Sequence, residues 1–349
     1  MKKLTLIVCI LFVCAAANAQ KLPRVKILAT GGTIAGKGAS VDRAAYTAGS
    51  LPIQDLIDAV PGIDKVAEIT GEQISNVGSQ DMSVDIWMKL NKRINEIFKN
   101  NEADGIVITH GTDTQEETAY FLSLTVRYDN PVVLTGSMRP ATAMSADGPK
   151  NLYDAVVVAA SPNSKGKGVM VAFSEGIFDG RDVVKVSTTH VDAFKSPNTG
   201  PIGQVYDGRV SYYMGERRKS TKDTPFDITG LTKLPEVAVV ELFADAPGTG
   251  INAYTAAGVA GIVTGGLGNG NLNKANTEAV VNAIKKGVVV CRASRVATGR
   301  VTLFDETDDS RLGTIVGDDL SPQKARILLM LGLTQTKDKK KLQEYFFTY

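Results

Sequence analysis

Three short segments set a hydroxyl beside glycine or an acidic neighbour: Thr30-Gly31-Gly32-Thr33, Gly78-Ser79-Gln80-Asp81 and His110-Gly111-Thr112-Asp113-Thr114. A threonine hydroxyl is a weak nucleophile until a neighbouring base takes its proton. Glycines let the backbone approach a ligand closely and turn N–H groups toward an oxyanion. Together these residue types offer attack by a hydroxyl on a carbonyl carbon. Singly, each has a plainer reading: the glycine loop as a tight strand-to-helix turn, and Asp113 as a residue that favours a helix start through the helix dipole. Ser79 and Gln80 precede a helix, where a small carboxylate is readily cradled. Three loops of such similar chemistry carry more weight than one.

Other chemistries lack their residues. The two histidines, His110 and His190, are isolated in the sequence, so neither a metal centre nor a histidine-based triad is supported. His110 directly follows an apolar run and reads as a structural residue at a strand end. The Gly31-Gly32-Thr33-Ile34-Ala35-Gly36 loop does not place glycines at the first, third and sixth positions of a dinucleotide fingerprint, and it lacks the Gly-Lys-Ser/Thr end of a P-loop. No metal and no cofactor are expected; hydroxyls, carboxylates and lysine must carry any catalysis.

The elements that would position these loops are legible from hydropathy. Apolar runs at 25–29, 105–108 and 132–134 end abruptly in Gly and Thr, and their continuous apolarity predicts parallel strands buried on both faces. Residues 83–99 place Ile86, Leu90, Ile94 and Ile97 or Phe98 at helical spacing, with Lys89, Lys92, Arg93 and Glu96 between them. Thr114 precedes Glu117 by three residues, the pattern of a capping box that starts another helix. Strand, polar loop and helix recur in that order, which predicts an α/β fold with a mostly parallel sheet flanked by helices. The polar loops then fall at the carboxyl ends of the strands, where open sheets bind ligands. Runs at 237–240, 261–264 and 288–291, with a helix from about 274 to 286, predict a second, smaller α/β domain.

The first 19 residues read as a secretory signal: Lys2 and Lys3, an apolar run, then Ala17-Asn18-Ala19. The expected organisation is thus 1–19 signal peptide, 20–213 N-terminal catalytic domain, 214–236 polar linker and 237–349 C-terminal domain, with a periplasmic or secreted location. Lipidation at Cys14 is the alternative fate of the leader. Cys9 and Cys14 leave with it, so the mature chain keeps Cys291 alone, read as a buried strand residue. The formal charge of +2 falls to near zero without the leader's lysines. That leaves no electrostatic footprint for nucleic acid or an anionic membrane and makes a small molecule the expected partner. The aromatic C-terminus (Tyr345, Phe346, Phe347, Tyr349) predicts a docked end.

Taken together the motifs resemble the bacterial-type L-asparaginases, in particular the exported type II enzymes and the related glutaminase-asparaginases. The resemblance rests on Ala29–Gly36 and Gly105–Thr114. It is supported by Gly78–Asp81, Thr135–Arg139, Ser145–Pro149, Gly180–Lys185, Gly268–Leu272 and Ser294–Gly299, and it spans essentially the whole mature chain. It implies hydrolysis of the side-chain amide of L-asparagine through two threonine centres, with comparable activity on L-glutamine as the alternative. Thr33 matches the nucleophile, with Tyr46 and Glu306 as partners; Thr112 matches the second threonine, with Lys185 and Asp113 beside it. A lysine can act as a base only when its pKa is lowered, which burial achieves. For binding, the resemblance assigns the substrate α-carboxylate to Ser79 and neighbouring backbone, and the α-ammonium to Asp113 with Gln80 and Glu306. Asn271 matches a residue contributed by a neighbouring subunit, which implies a homotetramer built as a dimer of intimate dimers. N–H groups of the glycine loop, with Thr112, are expected to hold the oxyanion. The chain departs from the family pattern in the unpaired Cys291, in His190, and at 243–251. The last two bear on the choice between asparagine and glutamine. A non-catalytic periplasmic amino-acid-binding protein is the alternative from another class.

Overall fold

The non-alternating apolar runs form strands covered on both faces, as their composition requires. The computed structural model describes residues 21–38, 46–47, 52–213 and 218–349, with 37, 38, 46 and 47 as backbone alone. The expected signal peptide therefore lies outside the described residues. From the N-terminus come β1 (Arg24–Gly31), the short antiparallel pair β2 (Lys37–Gly38) and β3 (Tyr46–Thr47), α1 (Ile53–Asp58), β4 (Glu68–Val77), α2 (Val84–Lys99), β5 (Gly105–Thr109) and α3 (Gln115–Thr125). There follow β6 (Val132–Thr135), α4 (Gly148–Ala160), β7 (Val169–Phe173), β8 (Gly176–Asp179), the antiparallel pair β9 (Val184–Lys185) and β10 (Phe194–Lys195), β11 (Gly203–Tyr206) and β12 (Arg209–Tyr212). The large sheet has the order β12-β11-β8-β7-β6-β5-β1-β4. Its β4-β1-β5-β6-β7 portion is parallel and the remainder antiparallel.

A separate, smaller C-terminal domain contains β13 (Val237–Glu241), α5 (Thr249–Ala257), β14 (Gly261–Gly266), α6 (Lys274–Lys285), β15 (Val289–Ser294), α7 (Asp309–Leu312), β16 (Ile315–Val316), α8 (Pro322–Gln335) and α9 (Lys339–Thr348). Its four strands are parallel in the order β13-β14-β15-β16. Cys291 lies fully buried on β15, and burial pushes its thiol pKa up. The C-terminus is docked: Phe226 packs edge-on against Tyr345 and Tyr349. No helix among the described residues is long and apolar enough to cross a membrane.

The core joins the two sheets. On one face of the large sheet, α2 and α3 share a cluster with β14, β15 and α8 of the smaller domain, and α3 packs directly on α8. The other face is covered by α4. Two expectations shift. The buried stripe of α2 includes Trp87, stacked on Phe121 at 5.2 Å, while Ile86 is only half-buried. The α3 helix starts where the capping signal places it, but the box does not form. Thr114 makes no side-chain cap bond; its hydroxyl donates instead to the carbonyl of Ser79, 2.8 Å away. A loop-to-loop bond took the group that local sequence assigned to the helix.

Candidate active site

In the large sheet β1 lies between β4 and β5, so the chain reverses its direction of growth across β1. The carboxyl ends of these three strands mark the switch point where open α/β sheets hold ligands. Each end runs into one of the hydroxyl loops. Gly31 has φ +113°, and a Cβ there would fall 2.3 Å from the Val77 carbonyl oxygen. A Cβ on Gly32 would fall 2.4 Å from the Gly111 nitrogen, and one on Gly111 would fall 2.7 Å from both Cβ and Oγ of Ser79. Glycine at 32 and 111 thus lets the three loops stack in van der Waals contact. Besides the Thr114–Ser79 bond, two side-chain bonds add to the stack: the Thr30 hydroxyl donates to the Thr109 carbonyl (2.9 Å), and the Asp113 N–H donates to Ser79 Oγ (3.2 Å). Thr33, Ser79 and Thr112 are brought to one place, each less than a tenth exposed.

Lys185 enters from β9, whose partner strand sets Lys185 opposite Phe194. Its Nζ donates to Thr112 Oγ1 at 2.8 Å and to Asp113 Oδ1 at 2.6 Å. The main-chain N–H of Lys185 donates to Glu116 Oε2 at 2.6 Å, and the other oxygen of Glu116 accepts from Gln323 Nε2 at 2.8 Å. A lysine, a threonine hydroxyl and a carboxylate therefore form a contiguous polar group at the rim of the sheet. Its Asp113 side chain is 58% exposed and open to a ligand.

His110 is structural, as its place after a buried strand suggested. It is fully buried. Its Nδ1 lies 2.7 Å from the Gly111 carbonyl, and its Nε2 lies 2.9 Å from the Thr118 hydroxyl, which in turn accepts from the Trp87 indole at 2.7 Å. That chain fixes the neutral tautomer with the proton on Nδ1. Burial pushes the ring pKa down to about 4, against the smaller opposing effect of the Gly111 bond. The ring supports the loop before Thr112 and offers no free nitrogen to a substrate.

The remaining candidates are placed unevenly. The side chain of Tyr46 lies outside the described residues. The amide of Gln80 folds back over Gly78 and donates to Asp81 (3.3 Å), so it turns onto its own loop. Asn271 and Glu306 lie on the smaller domain and are hydrogen-bonded to each other, with Thr307 also donating to Asn271 (3.5 Å). Within the glycine loop the N–H of Gly32 is committed to Val77 and that of Gly36 to Thr33 (3.0 and 2.8 Å), which removes two of the donors expected for an oxyanion. Sequence reasoning missed Glu116, Gln323 and Lys324. Glu116 is hidden by the capping pattern around it. Lys324 is a charged residue in the first turn of a strongly apolar helix, and that mismatch was the available signal.

Comparison with known proteins agrees across both domains. Residues 24–218 match the family described as "Asparaginase, N-terminal", and residues 236–346 match "Glutaminase/Asparaginase C-terminal domain". The chain is 51% identical over 348 residues to a Haemophilus influenzae protein named "Probable L-asparaginase periplasmic", covering 99% of each chain. It is 49% identical over 331 residues to the Escherichia coli protein named "L-asparaginase 2", covering 95% of this chain and 94% of that one. A solved structure titled as a probable cytoplasmic L-asparaginase from Campylobacter jejuni superposes with a TM-score of 0.91 at 48% identity. The match covers 94% of this chain and all of the other.

Proposed function

This chain belongs to the glutaminase/asparaginase family, and on that premise we propose that it hydrolyses the side-chain amide of L-asparagine to L-aspartate and ammonia. The observation that carries the reading is Lys185 Nζ at 2.8 Å from Thr112 Oγ1 and 2.6 Å from Asp113 Oδ1, in a cluster of loops that also holds Thr33. The hydroxyl oxygen of Thr33 adds to the amide carbon while its proton passes to a base. The C–N bond then breaks, and the nitrogen leaves as ammonia after taking up a proton. Water adds to the resulting ester, releasing aspartate and restoring the hydroxyl. Tyr46 and Glu306 assist Thr33, and no cofactor takes part.

Two charged ends fix the substrate. Ser79 and adjacent backbone receive the α-carboxylate. Asp113 receives the α-ammonium and shares its carboxylate between that group and Lys185. A peptide amide lacks these charges and would leave the complements unpaired. With Gly32 and Gly36 committed elsewhere, the Thr112 hydroxyl becomes the principal oxyanion donor, an effect worth roughly 3 kcal/mol in other enzymes. Asn271, on the smaller domain, serves the site of a neighbouring subunit in a tetramer. The protein acts after export to the periplasm.

The test is ammonia release by the purified exported protein from L-asparagine and, separately, L-glutamine. Activity on asparagine, reduced on the order of 10⁴-fold by Thr33→Ala without loss of folding, supports the reading. Release from neither substrate, or saturable binding without turnover, overturns it. Equal kcat/KM on the two substrates would instead make the chain a glutaminase-asparaginase, since one methylene is worth only about 1 to 3 kcal/mol in a pocket.

A further inference from the structure

Two consecutive residues of the smaller domain reach the strand that carries Lys185. Gln323 and Lys324 stand in the first turn of α8, which packs on three strands of the small sheet and on α3 of the large one. Lys324 is about 1% exposed; its Nζ donates to the carbonyl of Arg181 at 2.6 Å and to that of Val183. It also lies 6.0 Å above the Tyr120 ring. Gln323 holds one oxygen of buried Glu116, whose other oxygen holds the Lys185 N–H. The segment 181–185 is therefore gripped at two carbonyls and one N–H, with α8 supplying every anchor directly or through Glu116.

The arrangement is costly as pure structure. Burial disfavours the Lys324 ammonium and pushes its pKa down, opposed by the negative charges of Glu116, Asp182 and Asp179 and reinforced by Arg181. A leucine or methionine would fill a helix-to-sheet contact without that cost. What the polar grip adds is direction: it fixes the backbone on both sides of Val184 so that the Lys185 side chain starts from a defined height. Glu116 belongs to the same first helical turn that follows Thr112 and Asp113. The two acceptors of the Lys185 ammonium, in the loop that leads into α3, and the acceptor of its N–H, in the first turn of α3, thus lie within five consecutive residues.

We propose that Gln323 and Lys324 are positioning residues of the reaction centre, through which the smaller domain sets the placement of Lys185 against Thr112. The inference rests on the reading of Lys185 and Thr112 as parts of that centre. Misplacing a reacting group by about 1 Å costs up to roughly 100-fold in rate, so loss of either contact is expected to act on kcat.

The experiment is a pair of double-mutant cycles on the full-length exported protein. Gln323→Met and Lys324→Met are each made in the wild type and in Lys185→Met, with kcat, KM for asparagine and the thermal midpoint measured throughout. In the wild-type background each substitution is expected to lower kcat about 10-fold or more with KM within about threefold. In Lys185→Met the same substitution is expected to cost less than about twofold, because the residue it positions is gone. Equal losses in both backgrounds, or an unchanged kcat for Gln323→Met, overturn the proposal while leaving the assigned reaction intact. If Lys324→Met does not fold, the milder Gln323→Met cycle decides alone. A wild type that releases no ammonia, or a fully active Lys185→Met, overturns the functional reading and this inference with it.

Discussion

The Lys185–Asp113 and Arg292–Asp309 pairs both join a cation to a carboxylate at 2.6 to 2.7 Å, yet they occupy opposite conditions. Arg292 and Asp309 are 1% and 0% exposed. The guanidinium makes two parallel bonds to the carboxylate and spends its other donors on the carbonyls of Asn269, Gly270 and Thr302. Asp309 accepts further bonds from the Phe304 N–H and the Thr314 hydroxyl. Such a pair is saturated: it locks the hairpin bearing Asn271 to the segment leading to Glu306, and it has no capacity left for a ligand. Lys185 also holds a neutral hydroxyl, and its Asp113 partner stays largely in solvent. Both pairs lie where polar segments meet a parallel sheet. The group to which we assign chemistry is the one that the fold leaves incompletely satisfied.

The largest effect that tests this contrast is catalytic. Lys185→Met should lower kcat by on the order of 10³ to 10⁴-fold, measured as ammonia release. The thermal midpoint should shift little, since the pair's carboxylate is already hydrated and exposed pairs contribute little to stability. A variant that unfolds instead would place Lys185 in the structural class. The next effect has the opposite signature. Asp309→Ala leaves Arg292 buried without its partner and should destabilise by about 3 to 5 kcal/mol, read by denaturant unfolding. At temperatures where it remains folded, its loss of activity should be much smaller than that of Lys185→Met.

How far these features could be read from sequence depends on whether their causes are local. The strands and the glycine loops were legible because continuous apolarity and positive-φ positions leave marks within a few residues, as at the consecutive glycines Gly31 and Gly32. Thr112, Asp113 and Lys185 came from motif resemblance. Nothing in spacing alone brings residue 185 to residue 112, because residue 185 lies on a strand paired with β10 and preceded by carbonyls bound from α8, far away in sequence. The capping box at Thr114 failed for a related reason: the hydroxyl had a tertiary acceptor at Ser79, which no window of four residues contains. Gln80 turned onto its own loop, again by a contact specific to the folded chain. Glu116, Gln323 and Lys324 were missed because their partners lie more than 60 residues away in sequence.

The smallest of the expected effects separates the two regions by pH. The Thr112 loop rests on a neutral imidazole, whereas the Arg292–Asp309 lock rests on charge. His110 has its pKa pushed down to about 4 in the folded chain, from an ordinary value of 6.5. Between those values the unfolded chain binds a proton that the folded one refuses, so this group subtracts stability as pH falls from 6.5 toward 4. The full interval corresponds to about 3 kcal/mol. Four carboxyls raised by burial, Glu117, Asp179, Asp154 and Glu241, act in the other sense. Burial raises Glu117 and Asp179 to about 6, so folding takes up protons there and each adds stability as pH falls through 6. Carboxyls held low by their partners, such as Glu102 beside Arg93, act in the same sense as His110, so the wild-type slope alone does not isolate the imidazole. His110→Gln removes only the first contribution. It should be less stable than wild type at pH 7, where the Thr118 and Gly111 bonds are weakened, and that deficit should shrink by up to about 3 kcal/mol by pH 4. Denaturant unfolding of both proteins across that range is the measurement. A deficit that stays constant with pH would mean that the imidazole titrates alike in the folded and unfolded chain, and the neutral support assigned to the Thr112 loop would be lost.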